Sequence, residues 1–352
     1  MEFISGRVYR AIPRTVAIAT LAAFVLGGTA RAQDAALIAA AKKEGEVVWY
    51  TTLIVNQLVR PAAAAFEKKY GVKVLFTRAN SSATAIKILN ESKANNVQVD
   101  VFDGTATVEA LQRPGYVLQW IPESAKRLPQ EYRDEQNYWV ATNLYIMTPA
   151  YNTSLVPKGT QPKTYQDLLD PKWKGHMAWG ASASSSAGPG FIGTVLKEQG
   201  EEKGMAYLKQ LSKQKIAGIA SSAREVLDQV VAGEYQVALN IFNNHAVISS
   251  KKGAPVEWIP MSPATGAVSA ISIHKSAPHP NAAKLLVDFL VSKEGQALFK
   301  KADYIPSDPE VPPNEPALVP NPKNGFRAVF FSPEAVAQGM PKWLKIFDDL
   351  FR

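Results

Sequence analysis

The feature that most constrains this chain is a steady alternation, from Ala35 onward, of short apolar runs with helix-forming stretches. Residues 35–43 are good helix formers stopped by Gly45, and residues 47–50 (Val-Val-Trp-Tyr) read as a buried strand. Residues 61–70 read as a second helix with Pro61 in its first turn and Gly71 just past its end, and residues 72–76 as the next strand. A helix over 83–95 and a strand over 99–102 follow. A second series begins with a strand at 143–147, a short helix at 164–169 and a strand at 176–179. Helices at 190–198 and 201–213, a strand at 215–219, a helix at 222–232, a strand at 236–241 and a helix at 243–251 continue it. Strands at 256–259 and 268–273 and helices at 280–291 and 293–302 come next. The stretch 304–322, with Pro306, Pro309, Pro312, Pro313, Pro316, Pro320 and Pro322, reads as an extended surface strap. Strands separated by helices in this rhythm predict parallel, doubly wound α/β structure. There is no internal repeat and no low-complexity segment.

Composition narrows the function classes. Of 352 residues, 46% are hydrophobic and 20% charged, which is globular rather than disordered. Cysteine is absent, which excludes disulfides, Cys-ligated zinc, iron–sulfur clusters and thiol nucleophiles. The net charge is +8. Arg7, Arg10, Arg14 and Arg31 against Glu2 account for +3 of it, leaving a mild +5 that gives little support for a nucleic-acid binder. Those arginines belong to an N-terminal pattern. A basic start precedes an apolar run over 16–25, then Gly27-Gly28-Thr29 and Ala30-Arg31-Ala32. This is the pattern of a secretory leader cleaved after Ala32, and the run is shorter than the ~20 residues that a spanning helix needs. The expectation is residues 1–32 as signal peptide and a free, soluble protein in the periplasm.

Five stretches then carry a family resemblance: Val99-Asp-Val-Phe-Asp103, Tyr151-Asn-Thr153, Asp167-Leu-Leu-Asp-Pro-Lys-Trp-Lys-Gly175, Val231-Ala-Gly-Glu-Tyr-Gln-Val-Ala-Leu239 and Leu290-Val-Ser-Lys-Glu-Gly-Gln-Ala-Leu298. They span most of the mature chain and resemble the periplasmic solute-binding proteins of ABC importers, in particular the ferric-iron-binding group (extracellular solute-binding family 1, type II). The resemblance implies a two-lobed type II fold, each lobe a sheet flanked by helices, closing by hinge motion on a ligand in the cleft between them. It implies one lobe over 33–143 with 267–304 returning to it, and a second over 144–266 with 305–352 packing on it. Crossing strands are expected near 142–148, 266–273 and Tyr304. The partners implied are a small-molecule ligand and an inner-membrane ABC permease, with the protein a monomer that binds no nucleic acid.

The resemblance also implies a hard-cation site made of a His after the first strand, a Glu beyond the third and a Tyr-Tyr pair, and this sequence lacks all three. It reads Thr51-Thr52 after strand one, Asp103-Gly104-Thr105 after Phe102, and Phe242-Asn243-Asn244-His245 where the tyrosine pair should stand. Amides and hydroxyls do not neutralise ferric iron, so no metal and no resident cofactor is expected. Hydroxyl-rich loops occupy the strand-to-helix connections instead: Asn80-Ser81-Ser82, Ser182 to Ser186 (with Ser184 and Ser185), and Ser221-Ser222 with Arg224 in the following first turn. Helix amides, hydroxyls and the positive end of a helix make an anion site, and in open α/β sheets such loops hold ligands. Plain N-capping, with Ser222 and Glu225 as an ordinary capping box, is the better account of any one loop, and only three such loops at equivalent ends of two sheets bring the ligand reading level with it. Arg224 opposes the usual charge preference of a helix N-terminus, which suggests an anion partner. Asp103 would take an ammonium group or cap the next helix, and Arg78 reads as a solvated surface charge. Trp49, Tyr50, Tyr145 and Trp179 lie at strand ends, as core or as stacking surfaces.

Catalytic signatures are missing from the sequence. Gly180-Ala-Ser-Ala-Ser184 lacks the last glycine of a nucleophile elbow, no Walker A or G-x-G-x-x-G stretch occurs, and His176, His245, His274 and His279 read as surface or capping residues. The expectation is therefore a binding protein, not an enzyme, for a small polar ligand, most simply a phosphorylated or carboxylated organic anion. Its candidate ligand residues are Thr51, Thr52, Ser81, Ser82, Asp103, Tyr145, Ser182, Ser184, Ser185, Ser222, Arg224, Asn243 and Asn244. Ferric iron held through an anion or chelate is the rival ligand, and an exported hydrolase using Ser182–Ser186 the rival of another class.

Overall fold

The computed structural model describes Met1 and residues 35–352 apart from Ser185 and Ser221, so the expected leader beyond Met1 and its cleavage site lie outside the described residues. The chain begins with α1 (residues 35–44) and β1 (Glu46–Thr51), and a π-turn at Val55–Val59 runs into α2 (Arg60–Tyr70). Then come β2 (Lys73–Arg78), α3 (Ser81–Lys93), β3 (Val101–Asp103), α4 (Thr105–Gln112) and β4 (Val140–Asn152). The next series is β5 (Met177–Gly180), α5 (Gly188–Gln199), α6 (Glu201–Leu211), β6 (Ala217–Ile219), α7 (Ala223–Ala232), β7 (Val237–Phe242) and α8 (Asn243–Ser250). The chain ends with β8 (Val256–Trp258), β9 (Ala264–Ile273), α9 (Pro280–Val291), α10 (Lys293–Lys301), β10 (Ile305–Pro306), β11 (Ala328–Phe331) and α11 (Pro333–Phe351).

The eleven strands of the described residues join one curled sheet in the order β2-β1-β3-β9-β4-β7-β5-β6, with β8 and β10 on β4 and β11 on β9. At one end β1 pairs in parallel with β2 and β3; at the other β5 pairs in parallel with β6 and β7. Between them β4 and β9 run antiparallel from Val140↔Ile271 to Met147↔Thr265. Both are buried nearly throughout, because helices cover them on both faces, and so they carry apolar and small residues without alternation. β4 is irregular between Ala141 and Asn143 and again between Thr148 and Ala150, which lets it bend as it passes from one end of the sheet to the other. Buried hydrogen bonds fix this crossing. Gln296 Nε2 donates to the Thr142 carbonyl at 2.9 Å, and Ser307 Oγ to the Ala141 carbonyl at 2.7 Å, while Arg127 pairs with buried Asp308 at 3.0 Å.

Two large apolar cores lie on either side of the crossing. One gathers Trp49, Leu58, Phe66, Phe289, Phe299 and Tyr304, and the other Trp179, Phe191, Trp343 and Phe347. The second core depends on a close helix pair. A Cβ on Gly193 of α5 would meet the Trp343 ring of α11 at 2.6 Å, so only glycine admits the indole there. β11 and α11 were not assigned from the sequence; Pro341 inside α11 masks an apolar face of Val336, Met340, Trp343, Phe347 and Leu350. The helix expected at 164–169 is a 3-10 turn, Gln166–Leu169, and β4 and β9 are longer than their readings. The proline strap contributes β10, which pairs with β4 at Ile305↔Leu144. No helix among the described residues is long and apolar enough to cross a membrane.

Docking of α11 is testable. Phe347 has no exposed surface and sits 5.5 Å from the Trp179 ring. Phe347→Ala should cost ~3–5 kcal/mol, read as a lower urea midpoint. An unchanged midpoint would mean that α11 does not pack on this core in solution.

Candidate functional site

The loops that follow the parallel strands converge on a cavity of about 230 Å³. From one end of the sheet come Thr52 after β1, Arg78, Asn80, Ser81 and Ser82 after β2, and Gly104 and Ala106 after β3. From the other come Ser182, Ser184 and Ser186 after β5, Ser222 and Arg224 after β6, and Phe242 and His245 after β7. Tyr145 of β4 and Ala267 of β9 form the floor and are register partners. The ring of Tyr145 lies over that of Phe242, 4.2 Å between centroids.

The local sequence explains each edge. Asn80 caps α3, its Oδ1 accepting from the Ala83 amide at 2.8 Å, which leaves the first-turn amides of Ser81 and Ser82 without an intrahelical acceptor. α4 opens at Gly104, where φ is +102° and a Cβ would lie 2.7 Å from Ser81 Oγ and 2.9 Å from Thr52 Cγ2. A side chain there would close the space between the two loops. Ser222 caps α7 in a reciprocal box with Glu225. Ser184 Oγ and Ser186 Oγ are 3.0 Å apart and bonded to each other.

Of the expected site residues, Thr52, Ser81, Ser82, Tyr145, Ser182, Ser184, Ser222 and Arg224 line the cavity. Ser185 lies outside the described residues. Thr51, Asp103, Asn243 and Asn244 stand behind the wall. Thr51 is buried, its Oγ1 accepting from the Leu53 amide at 3.1 Å. Asp103 is buried and engaged: Oδ1 accepts from the Thr52 amide at 2.7 Å and Thr52 Oγ1 at 2.6 Å, and Oδ2 from Trp49 Nε1 at 2.9 Å. Burial raises its pKa, opposed by bonds from Thr51, Thr52 and Trp49. It buttresses the β1 loop and has no oxygen turned to the cavity to take an ammonium. Asn243 Nδ2 donates to the Leu318 carbonyl at 3.0 Å, and Asn244 is only 2% exposed with neither amide atom partnered. The turn of α8 presents neither, and brings His245 to the wall instead. Trp49, Tyr50 and Trp179 are core.

Three further corrections concern charge and histidine. Arg224 already has an anionic partner one helical turn on, with Nη2 2.7 Å from Asp228 Oδ1 and Nε 3.2 Å from Oδ2, so its place in the first turn of α7 needs no ligand to explain it. Arg78, read from sequence as a solvated charge, lines the cavity at the end of β2 with no ion-pair partner among the described residues. His245 and His274 are not surface residues. His274 is buried between Ser92 Oγ and the Ser276 amide, each at 3.0 Å. His245 is 5% exposed, faces the cavity, and neither ring nitrogen has a partner. Burial, with Arg224 and Arg78 nearby, pushes its pKa down to about 3. The signal for it was positional: it follows the two residues that replace the tyrosine pair.

The described lining therefore presents two guanidiniums, helix N-terminal amides, hydroxyls and a neutral imidazole, and no carboxylate. Among the described residues no group of three or more His, Cys, Asp or Glu is arranged to hold a metal ion.

Comparison with known proteins fits this geometry. Residues 97–324 match the family of bacterial extracellular solute-binding proteins, and the chain belongs to it. It is 30% identical over 286 residues to an uncharacterized protein of Haemophilus influenzae, covering 77% of this chain and 80% of that one. It is 23% identical to a putative 2-aminoethylphosphonate-binding periplasmic protein of Salmonella typhimurium, covering 79% of this chain and 80% of that one. Among solved structures it is similar to the periplasmic binding protein AfuA of Actinobacillus pleuropneumoniae with fructose-6-phosphate bound (TM-score 0.74, 24% identity, 87% and 98% of the chains). Iron-bound HitA of Pseudomonas aeruginosa is also similar (TM-score 0.71, 21% identity, 87% and 99%). The chain is thus a substrate-binding protein of a family of periplasmic solute-binding proteins of ABC importers, and it has the type II fold. Its relatives are binding proteins rather than enzymes and work with membrane permeases.

The buried imidazole gives a pH dependence. Below its ordinary pKa of 6.5 the unfolded chain takes up a proton at this position, whereas the folded chain stays neutral down to about 3. This contribution to stability is fully present above 6.5 and is lost as pH falls toward 3, with a slope of at most ~1.4 kcal/mol per pH unit. His245→Gln removes it, so urea unfolding at pH 7 and pH 4.5 should show the wild type losing ground to the variant at the lower pH. A constant difference between the two proteins would show that His245 titrates normally.

Proposed function

We propose that this protein captures a small organic anion, phosphorylated in the first instance, in the cavity between the β1–β3 and β5–β7 loops, and delivers it to an ABC permease. One observation carries the reading: Arg78, Arg224 and the open N-terminal turns of α3, α4 and α7 face one space that no described carboxylate lines. Dianionic phosphate suits such a space, because helix amides and guanidiniums both stabilise it. The ligand residues on this reading are Thr52, Arg78, Ser81, Ser82, Tyr145, Ser182, Ser184, Ser222, Arg224 and His245. Ferric iron without an anion would meet two arginines and no anionic oxygen, which disfavours it. Hydrolysis is disfavoured because Ser184 is bonded to Ser186 rather than to a base.

The lobes on this reading are 33–143 with 267–304, and 144–266 with 305–352, hinged on β4 and β9. The mature protein begins at Gln33 and acts as a monomer without nucleic acid. N-terminal sequencing of the exported protein checks the first point; a chain retaining Arg7 would refute it.

Binding is checked by calorimetry and thermal melts with inorganic phosphate and with glycerol 3-phosphate, beside ferric citrate. A bound phosphate ester at a hundredfold excess over its Kd should stabilise the fold by about 2.7 kcal/mol. Arg78→Ala should weaken binding by about one to two decades, since a charge-assisted hydrogen bond is worth ~1.5–3 kcal/mol, and leave the apo melt in place. Arg224→Ala should weaken it less, because Asp228 already neutralises that guanidinium. A visible charge-transfer band with ferric citrate, and no response to either phosphate, would replace the anion reading by the iron one.

A further inference from the structure

We propose that the part of the ligand beyond its anionic group carries hydroxyls and no amine, and that His245 is the residue that selects for a hydroxyl. The inference rests on the anion reading of the cavity and concerns what that anion is attached to.

The argument begins from two unsatisfied atoms. Both Nδ1 and Nε2 of His245 are buried without a partner, and the ring stands at the cavity wall. A neutral imidazole carries one N–H donor and one bare nitrogen that only accepts. Burying both unpaired costs free energy that the ligand recovers if it supplies matching groups. A fully ionised phosphate only accepts, so it satisfies the N–H and leaves the bare nitrogen alone. The ligand must therefore bring a donor as well, and the choice lies between a hydroxyl and an amine.

Charge decides between them. At neutral pH an amine arrives as an ammonium in a cavity that already holds Arg78 and Arg224, with no described carboxylate on the lining. Behind the wall, Asp103 has its oxygens taken by Trp49 and Thr52, Glu225 accepts from Ser222, and Asp228 is paired with Arg224. An ammonium would thus be desolvated beside the unpaired Arg78 guanidinium with no carboxylate on the described lining to receive it. A hydroxyl meets no such penalty, and it donates and accepts at once, as the imidazole requires. The neighbouring surface agrees: the Tyr145 and Phe242 rings, 4.2 Å apart, offer an apolar face to the C–H groups of a polyol, and Phe242 holds the His245 ring edge-on at 5.0 Å. Burial, helped by the charges of Arg224 and Arg78, also keeps the imidazole neutral, which preserves its acceptor nitrogen.

Three matched phosphomonoesters test this: glycerol 3-phosphate, n-propyl phosphate and phosphoethanolamine, with inorganic phosphate as the common reference, each titrated by calorimetry into the full-length mature protein. Glycerol 3-phosphate should bind at least tenfold tighter than either of the others. His245→Phe should bring the glycerol-to-propyl ratio to near one. His245→Gln, whose amide keeps a donor and an acceptor, should retain part of the preference, and thermal melts of the apo variants check that both fold. Propyl phosphate or phosphoethanolamine binding as tightly as glycerol 3-phosphate, or a ratio untouched by His245→Phe, overturns the inference and leaves the anion reading standing. Failure of all four compounds, inorganic phosphate included, overturns the anion reading and this inference with it.

Discussion

The antiparallel pair of β4 and β9 is the constraint on which the rest of the structure depends. Each strand crosses from one end of the curled sheet to the other, and their register places Tyr145 opposite Ala267 on the cavity floor. A large ring facing a small side chain leaves room above the strands without a gap in the ladder. The bend in β4 and the buried bonds from Gln296 and Ser307 to its carbonyls fix where the crossing turns. The strands that join the two ends of the sheet also form the base of the site, so the register of β4 against β9 defines the cavity floor.

The walls follow a different rule. In each half the loops at the carboxyl ends of parallel strands lead into helices, and those helices point their unbonded amides into the space between. Folding satisfies some of these groups internally. Asn80 caps α3, Ser222 and Glu225 cap each other, Asp103 ties the β1 loop, and Asp228 holds Arg224. What stays unsatisfied among the described residues is informative: Arg78 without a counter-ion at the cavity and His245 without a hydrogen bond at either ring nitrogen. Groups that the fold leaves unpaired at a cavity wall are those a ligand can complete, because a buried polar group without a partner costs free energy.

The family and the ligand come apart in this protein. Membership rests on a matched span of residues 97–324 and on a shared architecture, both properties of strands, helices and their crossings. The ligand is decided by a handful of loop positions that the architecture tolerates in many forms. Where the resemblance implies a tyrosine pair, this chain has Asn243 and Asn244, which α8 turns away from the cavity, and then His245, which it turns toward it. The same scaffold therefore presents nitrogen donors and hydroxyls in place of phenolate oxygens.

The sequence by itself determined the alternation of strands and helices and the hydroxyl-rich strand-to-helix loops, because hydrophobic period, glycine stops and serine caps are local signals, whereas the crossings near residues 142–148 and 266–273 were implied only by the family resemblance. It did not reveal α11, where Pro341 breaks the reading of an apolar face that needs α5 as its partner. Nor did it separate Ser81, Ser182 and Ser222, which line the cavity, from Asn243 and Asn244, which do not, since that depends on the rotation of α8 against β4 and β8. Arg78 read as a solvated charge and His245 as a surface residue for the same reason. Whether a polar group is paired, buried or facing a ligand is a property of what packs around it. Residues distant in the chain supply those neighbours, and only the tertiary structure brings them together.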